Sequence, residues 1–328
     1  MVINMCTAIS FKVKDHYFGR NLDLYYNYNE QVIITPRKFP FEFKMAGKNN
    51  NHFAFIGMAT VENGYPLYYD GVNEKGLAVA SLNFPQNAFY SEEKQGKFNL
   101  APFEFIPYLL CNFSSIDEVL SKAQIINFVN LKFSNAFPNT PLHFIISDKH
   151  RSLVVEPMKD GVKICDNPIG VITNNPPFDI QMLLLQNYSG LSVKNPQISF
   201  SKQIECNPYS LGMGAMGLPG DLSSPSRFVR ATFTKLNSLC NEDEASAVGQ
   251  FFHILGSVEQ IKGLNKVDKN RYEYTLYSSC INTNKGIYYY TTYGNRSITA
   301  VNMKKENLNT NRLITYDLLR KENITNQN

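Results

Sequence analysis

Met5-Cys6-Thr7-Ala8-Ile9 is the stretch on which the reading of this chain turns. If everything before Cys6 were removed, its thiol and a new α-amine would share one residue. A free thiol has a pKa of roughly 8.5 and an α-amine roughly 7.7–8.0, so proton transfer between them near neutral pH is almost balanced. One residue would then hold nucleophile and base, with no catalytic histidine. The plain alternative is a small buried hydrophobe. The rest of the chain has to decide between the two.

A chain of 328 residues with 43% hydrophobic content can bury a large core, and no composition shift marks a linker. Length allows one or two domains; if Cys6 is an N-terminal nucleophile, we expect a single domain over residues 6–328 and an extension over residues 1–5 that is absent from the active protein. The net charge of +4 comes from interspersed residues, which does not suggest nucleic-acid binding. No run approaches the roughly 20 apolar residues that span a bilayer. Lys12 interrupts the only apolar stretch near the N-terminus, so no secretory signal is read. Six cysteines lie far apart with no CxxC pair, which fits reduced thiols in a cytoplasmic protein. Five histidines show no metal-binding spacing, and neither a metal nor another cofactor is expected. Tryptophan is absent, while 23 Phe and 19 Tyr suit β-rich packing and apolar pockets.

Strands are expected at Ala8–Val13, Glu30–Thr35, His52–Met58, Tyr65–Asp70 and Leu77–Leu82, the last two flanking a turn at Gly71–Gly76. Helical patterns follow at Pro102–Asn112 and at Val119–Ile126, the second behind the capping-box spacing of Ser115 and Glu118. Strands return at Leu142–Ser147, Ser152–Glu156, Val162–Cys165 and Gly170–Thr173. Helices follow at Ser226–Leu236 and Glu244–Glu259, then strands at Tyr272–Ser279, Gly286–Tyr293 and Ser297–Met303. Runs of strands broken by pairs of helices lack the βαβ rhythm of a parallel sheet. They predict an α+β fold: two stacked antiparallel sheets between helical layers, αββα.

Other residues could join Cys6. Arg20 and Asp23 stand three apart at a strand end. An arginine beside a thiol favours the thiolate, and an aspartate can hold a protonated amine. The same pair also reads as a surface ion pair. Asn83, before Phe84-Pro85, and Asn174, before Asn175-Pro176, are turn residues by default. Their functional reading is an oxyanion hole.

Taken together, these stretches resemble the choloylglycine hydrolase family of bile salt hydrolases and penicillin V acylases, within the N-terminal nucleophile hydrolases. The likeness runs through Met5–Ile9, Phe18–Asp23, Asn73–Leu77, Leu82–Pro85, Pro138–His143, Thr173–Pro176, Gly217–Asp221, Ser226–Phe228 and Gly286–Tyr290. It implies that Cys6 is the nucleophile and its α-amine the base. Arg20 would contact the thiol and Asp23 orient the amine. Asn174 and Asn83 would form the oxyanion hole, and Arg227 would support the site. Bile salt hydrolases tend to carry Asn where the acylases carry Tyr, and Asn83 occupies that place. Leu22, Phe133 and Phe137 stand where relatives line a steroid pocket.

The resemblance thus implies a cytoplasmic enzyme that hydrolyses glycine- and taurine-conjugated bile salts. It also implies a homotetramer, assembled through the long segment Asn195–Gly217. Penicillin V acylase activity, aminoacyl transfer through the same thioester, and a non-catalytic steroid binder that keeps Met1–Met5 are the competing expectations. With the extension attached, the nitrogen of Cys6 is an amide and cannot act as a base.

Overall fold

The computed structural model describes residues 5–123, 125–197 and 200–328. Met1–Asn4 of the expected extension lie outside them.

Strands Gln31–Thr35, Phe55–Glu62 and Ala78–Asn83 are apolar on both sides. Val32, Ile34, Ile56, Ala78, Ala80 and Leu82 join one core. Ile33, Phe55, Leu77 and Val79 join a second. A strand covered on both faces loses its polar alternation, which explains the continuous apolar runs in the sequence. These strands belong to an eight-stranded sheet in the order 161–166, 152–158, 142–147, 78–83, 65–73, 55–62, 31–35 and 314–317. The other large sheet runs 171–172, 6–12, 16–24, 272–282, 287–292 and 295–302, with 265–266 paired to 272–282.

Helices α1 (Phe105–Asn112) and α2 (Ile116–Ala123) bury Phe105, Leu109, Ile116 and Val119 on the outer face of the eight-stranded sheet. Beyond the second sheet, α3 (Phe178–Leu185) packs beside α4 (Ser224–Asn237), and α5 (Glu244–Gly256) covers strands 16–24 and 272–282. Two sheets face each other between two helical layers, the αββα sandwich expected.

Local details depart from expectation. The helix expected at Val119–Ile126 begins at Ile116 and ends at Ala123, and Ile126–Phe128 instead pair in parallel with Phe98–Leu100. Asp148 Oδ2 accepts the Ile116 N–H at 2.9 Å, a long-range cap invisible to local spacing. Only half of the expected capping box forms. Ser115 Oγ accepts the Glu118 N–H, but the Glu118 carboxylate turns to Ser114. Strand 65–73 runs through Gly71 to Asn73, whose Oδ1 then closes the turn on the N–H groups of Lys75 and Leu77. Helix α3 has too few polar residues for an amphipathic signal, and leaves Leu183 and Ile180 exposed.

Candidate active site

Cys6 opens strand Cys6–Lys12, where it pairs with Leu22 of the neighbouring strand His16–Leu24. Successive side chains of a strand alternate between faces. Arg20 and Asp23, three apart, must therefore lie on opposite sides of the sheet. Arg20 lines the cleft between the sheets with Cys6, Leu22 and Leu24. Asp23 lies on the helical side, where its Oδ1 accepts the Thr275 hydroxyl at 2.6 Å. The same strand thus turns Arg20 to the cleft that holds the thiol and Asp23 to the helical layer. A close approach of chains supports it: a Cβ on Gly19 would sit 2.0 Å from the carbonyl oxygen of Ser279.

Arg20 is fully buried, and its Nη1 donates to the carbonyl oxygens of Tyr69 (3.1 Å) and Ser81. Burial pulls the guanidinium down. Cys6, Tyr277, Asp70 and Asp23 more than offset this, and its pKa stands above the ordinary value. The Cys6 thiol is pushed up chiefly by burial, against the pull of the Arg20 charge and the Asp23 backbone N–H. Asp23 is pushed up by burial to about 6, although Arg227, Thr275 and Arg20 favour its charged form. Its second oxygen is buried with no hydrogen-bond partner among the described residues.

On the far side, Arg227 of α4 is fully buried. Its Nη1 donates to the Cys6 carbonyl oxygen and to Thr7 Oγ1, both at 2.6 Å, and its Nη2 to Asn174 Oδ1 at 2.8 Å. The Cys6 N–H donates to the same Oδ1 at 2.9 Å. Asn174 Nδ2 donates to the Asn83 carbonyl oxygen at 2.7 Å. Gln181 of α3 and Ser224 at the start of α4 anchor this loop. Gln181 Nε2 donates to the carbonyl oxygens of Asn174 and Pro176, and Ser224 Oγ accepts the Asn174 N–H.

The six polar residues singled out from sequence converge on the head of one strand. Leu22, Phe133 and Phe137 line the cleft that opens from it, a space of about 1100 Å³ counting its solvent-filled mouth. Leu24, Tyr28, Leu67, Phe103, Ile106 and Leu142 complete its apolar wall. None of these stood out in the sequence, because a pocket wall has no local spacing. Phe133 rests against Tyr65 (5.4 Å between ring centroids) and Phe103 (5.3 Å), and Phe137 against Tyr28 (5.7 Å).

Glu273 also went unnoticed. Its carboxylate accepts the Met5 N–H, while the Asp23 N–H donates to the Met5 carbonyl oxygen at 3.2 Å. Burial and the neighbouring Asp23 push Glu273 up to about 8. A signal existed: Glu273 and Thr275 occupy the buried phase of strand Tyr272–Asn282, where a carboxylate needs a reason. Among the described residues, no cluster of His, Cys, Asp or Glu is arranged to hold a metal ion, and no helix is long and apolar enough to cross a membrane.

Comparison with known proteins gives the family. Residues 6–316 match the model of the linear amide C–N hydrolases, choloylglycine hydrolase family. A bile salt hydrolase/transferase of Lactiplantibacillus plantarum is 53% identical over 306 residues, covering 93% of this chain and 94% of its own. Another from Clostridium perfringens is 40% identical over 314 residues, covering 93% and 94%. The solved structure of a mutant conjugated bile acid hydrolase from Clostridium perfringens superposes with a TM-score of 0.91 at 38% identity, over 98% of this chain and all of the other. A penicillin V acylase from Agrobacterium tumefaciens shares the fold, with a TM-score of 0.73 at 20% identity over 95% and 91%. With its nucleophile candidate at the head of a strand between two facing sheets, the chain belongs to the choloylglycine hydrolase family of linear amide C–N hydrolases.

Proposed function

We propose that the protein hydrolyses the amide bond of glycine- and taurine-conjugated bile salts, with Cys6 as nucleophile. The observation that carries this reading is the apolar, aromatic-walled cleft ending on the Cys6 thiol and Arg20, in a chain so similar to bile salt hydrolases. A steroid body needs such a wall, with a few polar groups placed along it.

In the active form the chain begins at Cys6, so that its nitrogen is an amine. The thiol proton passes to that amine as sulfur bonds to the amide carbon, and an electron pair moves onto the carbonyl oxygen. Asn174 Nδ2 donates one hydrogen to Asn83 and has a second for this oxyanion. Arg20 stabilises the thiolate, Asp23 faces the ammonium, and Arg227 fixes the Asn174 amide. As the C–N bond breaks, the ammonium gives its proton to the departing glycine or taurine nitrogen, leaving a thioester. Water then gives a proton to the amine and attacks the thioester, releasing the bile acid and restoring the thiol.

Three further points complete the reading: residues 6–328 form one domain, the enzyme is cytoplasmic, and it assembles as a homotetramer. Phe200, Tyr209 and Leu211 are strongly exposed on the segment 195–217, which is apolar surface that a second copy would cover. Light scattering showing a stable monomer at micromolar concentration would count against that assembly.

The deciding experiment combines intact mass with turnover of glycocholate, taurocholate and penicillin V. Active material that begins at Cys6 and prefers the bile salts is the expected result. Preference for penicillin V would make it an acylase. Retention of Met1–Met5 with steroid binding but no turnover would make it a binder.

A further inference from the structure

Two buried titratable side chains take no part in the chemistry above. His143 and Glu156 have no solvent exposure, and they lie directly behind the two asparagines of the proposed oxyanion hole. His143 Nε2 lies 2.9 Å from the carbonyl oxygen of Thr173, the residue before Asn174. The flat of its ring stacks on Phe84, the residue after Asn83, with centroids 4.2 Å apart and planes 3° from parallel. Its Nδ1 lies 3.4 Å from Glu156 Oε1, which also accepts the Phe178 N–H at 2.9 Å, where α3 begins.

The hydrogen positions follow from the partners. A carbonyl oxygen only accepts, so Nε2 carries hydrogen. Nδ1 then faces a carboxylate oxygen, and two lone pairs pointing at each other would repel. One proton therefore lies between Nδ1 and Oε1, on whichever atom holds it. Either way the pair has no net charge, which is compatible with complete burial.

We infer that the His143–Glu156 pair is a positioning device for the oxyanion hole: one imidazole, locked by Glu156, sets the placement of both Asn83 and Asn174. This inference rests on the proposed function. Its physical basis is adjacency. Tilting the ring would disturb Phe84 and Thr173 together, and each is bonded directly to one of the asparagines. A misplacement of about 1 Å in such a site can cost about 100-fold in rate.

The test uses purified enzyme beginning at Cys6, with glycocholate as substrate. His143→Phe keeps a ring against Phe84 but has no N–H for Thr173. Glu156→Gln removes the carboxylate, so keeping hydrogens on both ring nitrogens would leave a buried imidazolium with no counter-charge, and the ring must give up one of its two contacts. We expect kcat to fall about 100-fold for the first and about 10-fold for the second, with KM within about twofold of wild type. The aldehyde analogue of cholic acid, which forms a thiohemiacetal with Cys6, should lose affinity in parallel. Free cholate should bind as before. A merely structural role would weaken both ligands together. The inference is overturned if either folded variant keeps the wild-type kcat, or if cholate and aldehyde affinities fall equally. Should His143→Phe fail to fold, Glu156→Gln decides alone. Asn174→Ala separates the two levels. Full activity there would remove the oxyanion reading itself, whereas loss there with unaffected His143 and Glu156 variants removes only this inference.

Discussion

Arg227 Nη2 donates to Asn174 Oδ1 at 2.8 Å, and that contact decides which way the Asn174 amide faces. A guanidinium can only donate, so the oxygen end must point at Arg227 and at the Cys6 nitrogen. The NH₂ end is thereby turned to the Asn83 carbonyl oxygen. In the proposed mechanism Arg227 would act on the oxyanion from behind, through the orientation of another side chain.

Asn174→Asp should lower kcat by about 100- to 1000-fold with a smaller change in KM, because a carboxylate offers no donor and repels the developing charge. Arg227→Lys should fall in the same direction, since a single ammonium cannot reach Cys6 O, Thr7 Oγ1 and Asn174 Oδ1 together. Steady-state kinetics on glycocholate checks both. Wild-type kcat in Asn174→Asp would refute the assigned orientation.

Among the six cysteines, only Cys6 should be needed for turnover. Cys6→Ser should fold and lose most activity, because a hydroxyl is much harder to deprotonate than a thiol. Cys206 is exposed and should tolerate Ala silently. Cys111 and Cys280 are buried among apolar groups, so Ala there should lower thermal stability modestly while leaving the rate intact. Activity and melting curves of the single variants distinguish these cases.

Glu273 gives the full chain a pH signature. Its pKa is raised from 4.5 to about 8 in the folded protein, first by burial and then by Asp23. Between those values the folded state keeps a proton that the unfolded chain has lost. Stability should therefore decline as pH rises through this window, by up to about 1.4 kcal/mol per pH unit. Asp23, raised from 3.8 to about 6, adds in the same direction over its own lower range. In a Cys6→Ala background that keeps Met5, Glu273→Gln should flatten the melting temperature between about pH 6 and 8. An unchanged slope would show that Glu273 is ionised throughout.

Phe133→Ala and Phe137→Ala should each reduce kcat/KM for bile salts by one to two orders of magnitude, since burying such a side chain is worth about 1.5–3 kcal/mol. The Phe133 effect should be the larger. Its ring supports Tyr65 and Phe103 as well as lining the cleft, and Lys44 Nζ sits 5.1 Å above it. The glycine-to-taurine preference should barely move. Inversion of that preference in Phe133→Ala would place the ring at the other end of the substrate.

Much of this molecule is legible from residue order alone. Cys6, Arg20 and Asp23 stand out in residue order, whereas the strand His16–Leu24 that puts Arg20 and Asp23 on opposite faces is seen in the structure and not in the local spacing. The layered α+β class follows from strand runs and helix pairs, because periodicity and turn chemistry are local. Long-range pairing is different. The start of α2 at Ile116 depends on Asp148, and its end at Ala123 rather than Ile126 on strand Phe98–Leu100, neither of which is a sequence neighbour. Glu273 meets Met5 across 268 residues, and His143 meets Thr173 across 30. The wall of the cleft comes from separate loops and strands that touch only when the two sheets stack. Sequence determined which groups are available and which stretches form strands and helices. Only the tertiary structure decided which of them meet, because burial and hydrogen-bond satisfaction belong to the packed interior as a whole.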